Sequence, residues 1–224
     1  MIEKDETKMK EILNTMPTLN PSNSRISWDD YFSILAKMTA LRSSDKHRKV
    51  GAVIVSQDNR ILSAGYNGAP IGIQETDIPW NKKGDFLDTK YPYIVHAELN
   101  AILGYNNDKS LLKGAKIYTT LFPCNNCMKA IIQSGITEVI YLDNHSFRCN
   151  EDIAARYMVR VHNQNTSYPP ITLRAYEITA SYKPLVVALT GETSVIIPLD
   201  EVKKFDEKIE ISNCGPKRSL TKQK

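Results

Sequence analysis

The sequence predicts an α/β domain in three layers, a mixed sheet of about five strands with helices on both faces. Three observations carry this prediction. Short apolar runs rich in β-branched residues, bounded by turn residues, stand at 50–55, 60–65, 115–120, 137–142 and 171–179. Runs with helical spacing stand at 28–41, 96–103, 124–134 and 151–161. The strand–helix–strand unit across 115–142 requires parallel neighbours joined by a crossover.

Taken in order, residues 1–24 are polar, contain Pro17 and Pro21, and read as a tail or loosely docked arm. Ser27, with Asp30 three residues on, has the form of a capping box. Trp28, Tyr31, Phe32, Leu35 and Met38 then share one helical face, expected to pack on the sheet. Val50 to Val55 is an apolar run typical of a buried strand. Gln57-Asp58-Asn59 turns the chain, and Arg60 to Gly65 returns antiparallel. Gly65-Tyr66-Asn67-Gly68-Ala69-Pro70 ends that strand with turn chemistry. About twenty-five residues of little periodicity follow, a length usual for functional or disordered loops. Trp80, Tyr91 and Tyr93 argue for order, and the stretch runs straight into His96, so it reads as a wall or lid of a site.

Beyond the last strand, residues 184–200 read as a β-hairpin, Leu185 to Leu189, then Gly191, then Ser194 to Ile197. Residues 201–224 form a charged tail that includes Lys217, Arg218, Lys222 and Lys224. The expected organisation is therefore a tail at 1–24, a catalytic domain at 25–183, a hairpin extension at 184–200 and a second tail at 201–224.

Composition narrows the function classes. A hydrophobic share of 42% over 224 residues can build a real core. A net charge of +4 suits a phosphate-bearing ligand without demanding nucleic acid. Four cysteines make no disulfide framework, and Cys149 and Cys214 read as free thiols of a reducing compartment. Met1-Ile2-Glu3-Lys4-Asp5 is too charged for a signal peptide, and no apolar run reaches membrane length. The expected location is the cytoplasm, and the basic C-terminus leaves a nuclear address open.

The chemistry concentrates in His96-Ala97-Glu98 and Pro123-Cys124-Asn125-Asn126-Cys127. Together they offer an imidazole, two thiols and a carboxylate. Zinc favours nitrogen and sulfur, and a catalytic zinc keeps three protein ligands with its fourth position open to water. His96, Cys124 and Cys127 are the candidate ligands. Glu98 is placed to reach a water at the open position rather than to complete the shell. Cys124 and Cys127 fall on one face of a first helical turn, whose dipole favours thiolate. A lone CxxC would equally suit a redox pair or half of a structural zinc site. The HxE partner decides between them, because HxE followed by PCxxC is the established signature of zinc nucleobase deaminases. Such a site brings the pKa of a water from 15.7 toward about 7. Glu98 can take that water's proton, pass it to a ring nitrogen and later protonate the departing amino group, since one carboxylate can serve as base and acid. The reaction class is hydrolytic deamination of an aminated heterocycle.

Longer stretches sharpen this. Trp28-Asp29-Asp30-Tyr31-Phe32, Leu41-Arg42-Ser43, Val50 to Val55, Gly65 to Pro70, Leu87 to Ile102 and Phe122 to Cys127 stand in the order seen in deoxycytidylate (dCMP) deaminases. The chain resembles that family over roughly 27–161. The resemblance implies a cytidine-deaminase-like fold, conversion of dCMP to dUMP and ammonia for thymidylate synthesis, and Zn2+ on His96, Cys124 and Cys127 with Glu98 as proton shuttle. It implies Asn67, Arg42, Ser43 and Ala97 as substrate-binding residues, with Lys46 and Arg48 able to share the phosphate. A turn residue tolerating positive φ is the alternative for Asn67, and an arginine answering a helix dipole the alternative for Arg42. The resemblance further implies a homohexamer activated by dCTP and inhibited by dTTP, with Gly65, Tyr66 and Gly68 in the regulatory segment. Lys49 replaces a common glutamine, the stretch after 142 diverges, and the chain beyond 184 exceeds the usual length. Two rival functions stand beside this one: a cytosine deaminase acting on single-stranded nucleic acid, which would need a basic groove with stacking aromatics, and a non-catalytic nucleotide sensor, which has no use for Glu98.

Overall fold

The computed structural model describes residues 25–144 and 149–190. Its architecture follows from alternation in one strand. Along β1 (Gly51–Val55), Ala52 and Ile54 face one layer of helices while Val53 and Val55 face the other, and all four are fully buried. A strand apolar on both faces belongs at the centre of a sheet. β1 pairs antiparallel with β2 (Ile61–Tyr66) on one side and with β3 (Lys116–Thr119) on the other, Val53 lying opposite both Ala64 and Tyr118. β3, β4 (Glu138–Tyr141) and β5 (Thr172–Ala175) run parallel to one another. The result is the five-stranded mixed sheet that the sequence predicts, and its strands stand in the order β2-β1-β3-β4-β5.

Helix α1 (Trp28–Ala40) covers one face, where Phe32, Ala36, Val53, Val55, Tyr118 and Ile140 form a cluster. Helices α2 (Ala97–Leu103), α3 (Asn125–Ser134) and α4 (Asn150–Asn163) cover the other. Phe32 is fully buried, so its truncation to alanine would cost about 3–5 kcal/mol. Two glycines set how close the first helix on each face comes. A Cβ on Gly51 would lie 2.1 Å from the Ala36 carbonyl oxygen, and one on Gly65 would lie 2.4 Å from the Ala97 carbonyl oxygen. Any side chain at either position would push a helix off the sheet.

That contact at Gly51 explains one correction. The expected core stripe of α1 is rotated: Trp28, Tyr31 and Met38 are exposed, whereas Phe32, Ser33, Ala36, Lys37 and Ala40 are buried. A helix seated against a glycine must present small residues there, and Ala36 and Ala40 provide them. Ser27 does cap α1, its hydroxyl accepting the Asp30 N–H at 3.0 Å. The Asp30 carboxylate does not close the box on the Ser27 N–H. It accepts instead from the N–H and hydroxyl of Thr179 at 2.8 and 2.7 Å. That tie draws the chain away from the sheet, so the last strand ends at Ala175 rather than near Thr179.

The hairpin expected at 184–200 is corrected in its described part. Lys183–Thr190 is a helix, α5, and 191–200 lie outside the described residues. A five-residue apolar run does not by itself separate strand from buried helix. Proline at the second helical position costs nothing, because first-turn N–H groups have no intrahelical partner. Val186 then packs with Leu142 and Ile178 beside α1. The two expected tails, 1–24 and 201–224, also lie outside the described residues.

Candidate active site

Both motifs sit at helix starts, and the sheet brings those starts together. His96 is the N-cap residue of α2 and Cys124 that of α3, each in extended conformation, so each side chain projects ahead of its helix. Cys127 lies in the first turn of α3. The His96 Nδ1 atom stands 3.4 Å from the Cys124 Sγ and 3.5 Å from the Cys127 Sγ. All three donor atoms fall within 4.8 Å of one another. A tetrahedral zinc with bonds of about 2.0 Å to nitrogen and 2.3 Å to sulfur requires an N···S separation of about 3.5 Å. The donor set and its spacing therefore fit zinc. Among the described residues no fourth protein ligand joins the group, which is the pattern of a catalytic rather than a structural site.

The electrostatics agree. A hydrogen bond from the Cys127 thiol, with further help from His96, holds Cys124 down at about 4 despite burial. Cys127, bonded to Cys124 and buried, is pushed up, so in the metal-free pair one proton stays on Cys127. The hydrogen bond with Cys124 raises His96. A metal replaces the shared protons with its own charge. Glu98 is 3% exposed, and burial raises its carboxyl above the ordinary range. The Thr119 hydroxyl at the end of β3 donates to the Leu121 carbonyl at 2.9 Å and stands 3.3 Å from the Glu98 Oε1. A carboxyl raised by burial takes up a proton more readily than an exposed one and can give it up again.

These groups open onto a cavity of about 450 Å³. His96, Ala97, Glu98 and Cys124 line it, with Phe122 and Pro123 beside them and Cys127 buried behind. Phe122 is backed by the Arg156 guanidinium 4.2 Å from its ring centre and by the edge-on ring of Tyr141. Asn67 also lines the cavity, and its amide is largely spoken for. Oδ1 accepts the Val50 N–H at 2.7 Å, while Nδ2 donates to Asp45 Oδ2 at 3.2 Å and to the Arg48 carbonyl at 3.0 Å. Among the described residues only Asn59 is a non-glycine with positive φ, so the turn alternative for Asn67 does not hold.

The residues expected to hold the phosphate divide in their placement. Arg42 is exposed, with its guanidinium 6.0 Å from the Tyr66 ring centre, and does not line the cavity. Ser43 is 2% exposed, donates to the Asn67 carbonyl at 2.7 Å and accepts the Asp45 N–H. It supports Asn67 from behind. Lys46 is exposed and off the cavity, whereas Arg48 lines it and pairs with Asp143 at 3.2 Å. Two lysines not singled out from sequence, Lys82 and Lys90, line it as well. Both belong to the long aperiodic segment, which does form a wall of the cavity. No local signal marks them, since lysines in loops are ordinarily solvated.

Gly65, Tyr66 and Gly68 stay outside the cavity. Gly65 seats α2, the Tyr66 carbonyl accepts from Asn100 Nδ2 at 2.7 Å, and Gly68 bridges to Val95, closing the base of the long segment. No helix among the described residues is long and apolar enough to cross a membrane.

Comparison with known proteins adds independent findings. The family model described as the cytidine and deoxycytidylate deaminase zinc-binding region matches residues 26–143. Human deoxycytidylate deaminase is 45% identical over 134 residues, 59% of this chain and 74% of the relative. The mouse deoxycytidylate deaminase is 40% identical over 163 residues, covering 72% and 85% respectively. Among solved structures, a dCMP deaminase from the cyanophage S-TIM5, in complex with dCMP and dUMP, superposes with a TM-score of 0.50 at 20% identity. It covers 68% of this chain and 99% of its own, and that likeness is one of fold.

Proposed function

The chain belongs to the cytidine and deoxycytidylate deaminase family, and we propose that it catalyses hydrolysis of dCMP to dUMP and ammonia. One observation carries the chemistry: the buried Glu98 carboxyl stands beside a three-ligand zinc site on a cavity wide enough for a nucleotide. The relatives named deoxycytidylate deaminase support the choice of substrate.

His96, Cys124 and Cys127 would hold zinc, whose Lewis acidity would make water a nucleophile near neutral pH. Glu98 accepts the water proton and delivers it to N3 of the cytosine, which makes C4 electrophilic. Oxygen adds at C4, and Glu98 transfers the second proton to the amino group, which departs as ammonia while the C4 carbonyl forms. The Thr119 hydroxyl, its own proton on the Leu121 carbonyl, offers an acceptor to the Glu98 carboxyl while that carboxyl carries a proton. Phe122, held rigid from behind by Arg156, offers a flat apolar wall for the base. Both Asn67 N–H groups are used, so Asn67 can meet the nucleotide only as an acceptor through Oδ1, which suits a sugar hydroxyl. Arg48 and Lys82 replace Arg42 and Ser43 as the residues for the 5′-phosphate, because they line the cavity.

The finer reading includes supply of dUMP for thymidylate synthesis in the cytoplasm, a homohexameric assembly, activation by dCTP and inhibition by dTTP. Its support is the family likeness and the run of Gly65-Tyr66 straight into Asn67, which gives an effector at that segment a direct path to the site.

The test is loss of cytosine absorbance when zinc-loaded protein meets dCMP, with and without dCTP or dTTP, and with cytidine and deoxycytidine alongside. Turnover restricted to dCMP is expected. Turnover of the nucleosides instead, or none of dCMP under any condition, would overturn the assignment.

A further inference from the structure

Asp45 and Lys90 form an ion pair deep in the cavity wall, their side chains 0% and 6% exposed. The two residues come from different loops. Asp45 lies between α1 and β1, and Lys90 lies late in the segment that closes at Gly68 and Val95. Every acceptor position of Asp45 is engaged: Oδ1 takes the His47 N–H at 2.8 Å and the Arg48 N–H at 3.1 Å, and Oδ2 takes Asn67 Nδ2 and Lys90 Nζ.

Residues 69–93 are otherwise self-contained. Trp80 donates to the Glu75 carbonyl, Asn81 to Asp88, Thr89 to Phe86 and Tyr93 to Leu87, all within the segment. Among the described residues, Lys90 makes the one side-chain hydrogen bond from this segment to the rest of the chain. Its apolar anchorage is sparse: Ile78 is buried, but Ile71, Phe86, Leu87 and Tyr91 are all more than half exposed. Yet Lys82, Lys90, Tyr91 and Ile94 are cavity wall. A wall with little packing of its own must be held by something else.

We propose that the Asp45–Lys90 pair is a positioning pair for the reaction, latching the 69–93 segment over the cavity and fixing the orientation of Asn67. Neither residue takes part in the proton transfers. Asp45 is an obligate acceptor, so it dictates that Nδ2 of Asn67 points away from the nucleotide and leaves Oδ1 as the reading atom. Lys90 neutralises that buried carboxylate and in the same contact anchors the loop. A buried cation facing a buried anion whose acceptor positions are all filled also resists substitution on one side only, because the survivor is left unpaired.

Only the kinetic arm of the test rests on the deaminase reading. Lys90→Met, which keeps the stem and removes the charge, is compared with Lys90→Arg, which keeps a cation, and with the double variant Asp45→Asn/Lys90→Met, which removes both charges. In zinc-replete Lys90→Met, KM for dCMP should rise about tenfold or more, the loss expected for a charge-assisted contact, with a smaller change in kcat. Lys90→Arg should recover part of the KM. Chymotrypsin cleavage after Phe86 and Leu87 should accelerate in Lys90→Met, and dCMP should slow cleavage in the wild type. Should Lys90→Met fail to fold, the double variant carries the same expectations. Wild-type KM and wild-type cleavage in a zinc-replete variant lacking the pair would overturn the proposal. So would failure of both variants to fold, since the pair would then be a folding element. If the wild type does not turn over dCMP, the deaminase reading fails, and the cleavage rates still decide whether the latch exists.

Discussion

The metal half of the site and the nucleotide half are built on opposite principles. His96, Cys124 and Cys127 are set by two helix starts, one of them following the central strand β3, and these elements are fixed by the core beneath them. Asp45, Arg48, Asn67 and Lys90 are held by loops that reach one another through side-chain hydrogen bonds and a single buried ion pair. The first arrangement holds the imidazole nitrogen 3.4 and 3.5 Å from the two sulfurs, close to the separation a tetrahedral zinc needs. The second can be re-aimed by a few substitutions. Chemistry that does not vary belongs on the rigid half, and recognition that must suit one nucleotide belongs on the adjustable half.

The largest effect that would break this division comes from the metal itself. Stripping zinc with a chelator should reduce deamination to background, and adding Zn2+ back should restore it, followed by cytosine absorbance and by metal content per chain. Next in size is Glu98→Gln, which is isosteric and leaves the ligands untouched. Turnover should fall by about 10²–10⁴-fold, the worth of a positioned acid–base group, while zinc content and dCMP binding persist. Near-normal turnover in that variant would show that Glu98 is not the proton carrier.

The same division decides what could be read from the sequence. The metal half is legible because its residues fall in two short stretches, each at a helix start, and spacing places Cys124 and Cys127 on one helical face. The five strands were legible because each carries its own apolar run and turn. Asp45 and Lys90 were not, because a contact across 45 residues leaves no periodicity in either loop. Arg42 and Ser43 looked right by residue type, yet one points to solvent and the other is buried behind Asn67. The buried face of α1 differs from its apolar stripe for a related reason. Trp28, Tyr31 and Met38 are apolar enough for a core, but the rotation of the helix is fixed by Gly51 on a different element. The apolar run at 185–189 has no period that separates strand from helix, and its packing against Leu142 and Ile178 settles it.

A smaller effect sharpens the nucleotide half. Arg48→Met should raise KM for dCMP by about tenfold, with kcat within about twofold, because a lost phosphate contact is felt equally before and during the reaction. Arg42→Met should leave both constants unchanged, since Arg42 lies off the cavity. A KM effect at Arg42 and none at Arg48 would return the phosphate to the position expected from sequence and would redraw the boundary of the site.

The smallest kinetic effect belongs to the opposite face of the sheet, and it separates stability from chemistry altogether. There Arg174 grips Asp29 at 2.8 and 3.0 Å and Glu138 at 2.9 and 3.0 Å, and Tyr118 donates to the same Asp29 at 2.8 Å, tying α1 to β3, β4 and β5. Burial alone would raise Asp29, but the Arg174 and Tyr118 hydrogen bonds outweigh it and hold the carboxyl below the ordinary value of 3.8. A carboxyl depressed in the folded state stabilises the protein above its unfolded pKa, and that contribution disappears as pH falls through the folded one. Arg174→Met should therefore lower Tm at neutral pH by about 2–4 °C, the pair being about one third exposed and partly screened. The gap should close as pH drops below the ordinary aspartate value, measured on metal-free protein so that loss of zinc at low pH does not intrude. Deamination at neutral pH should be unchanged. A fall in kcat in a variant that is fully folded at the assay temperature would mean that the two faces of the sheet are coupled, and that the metal half is less independent of its surroundings than its geometry implies.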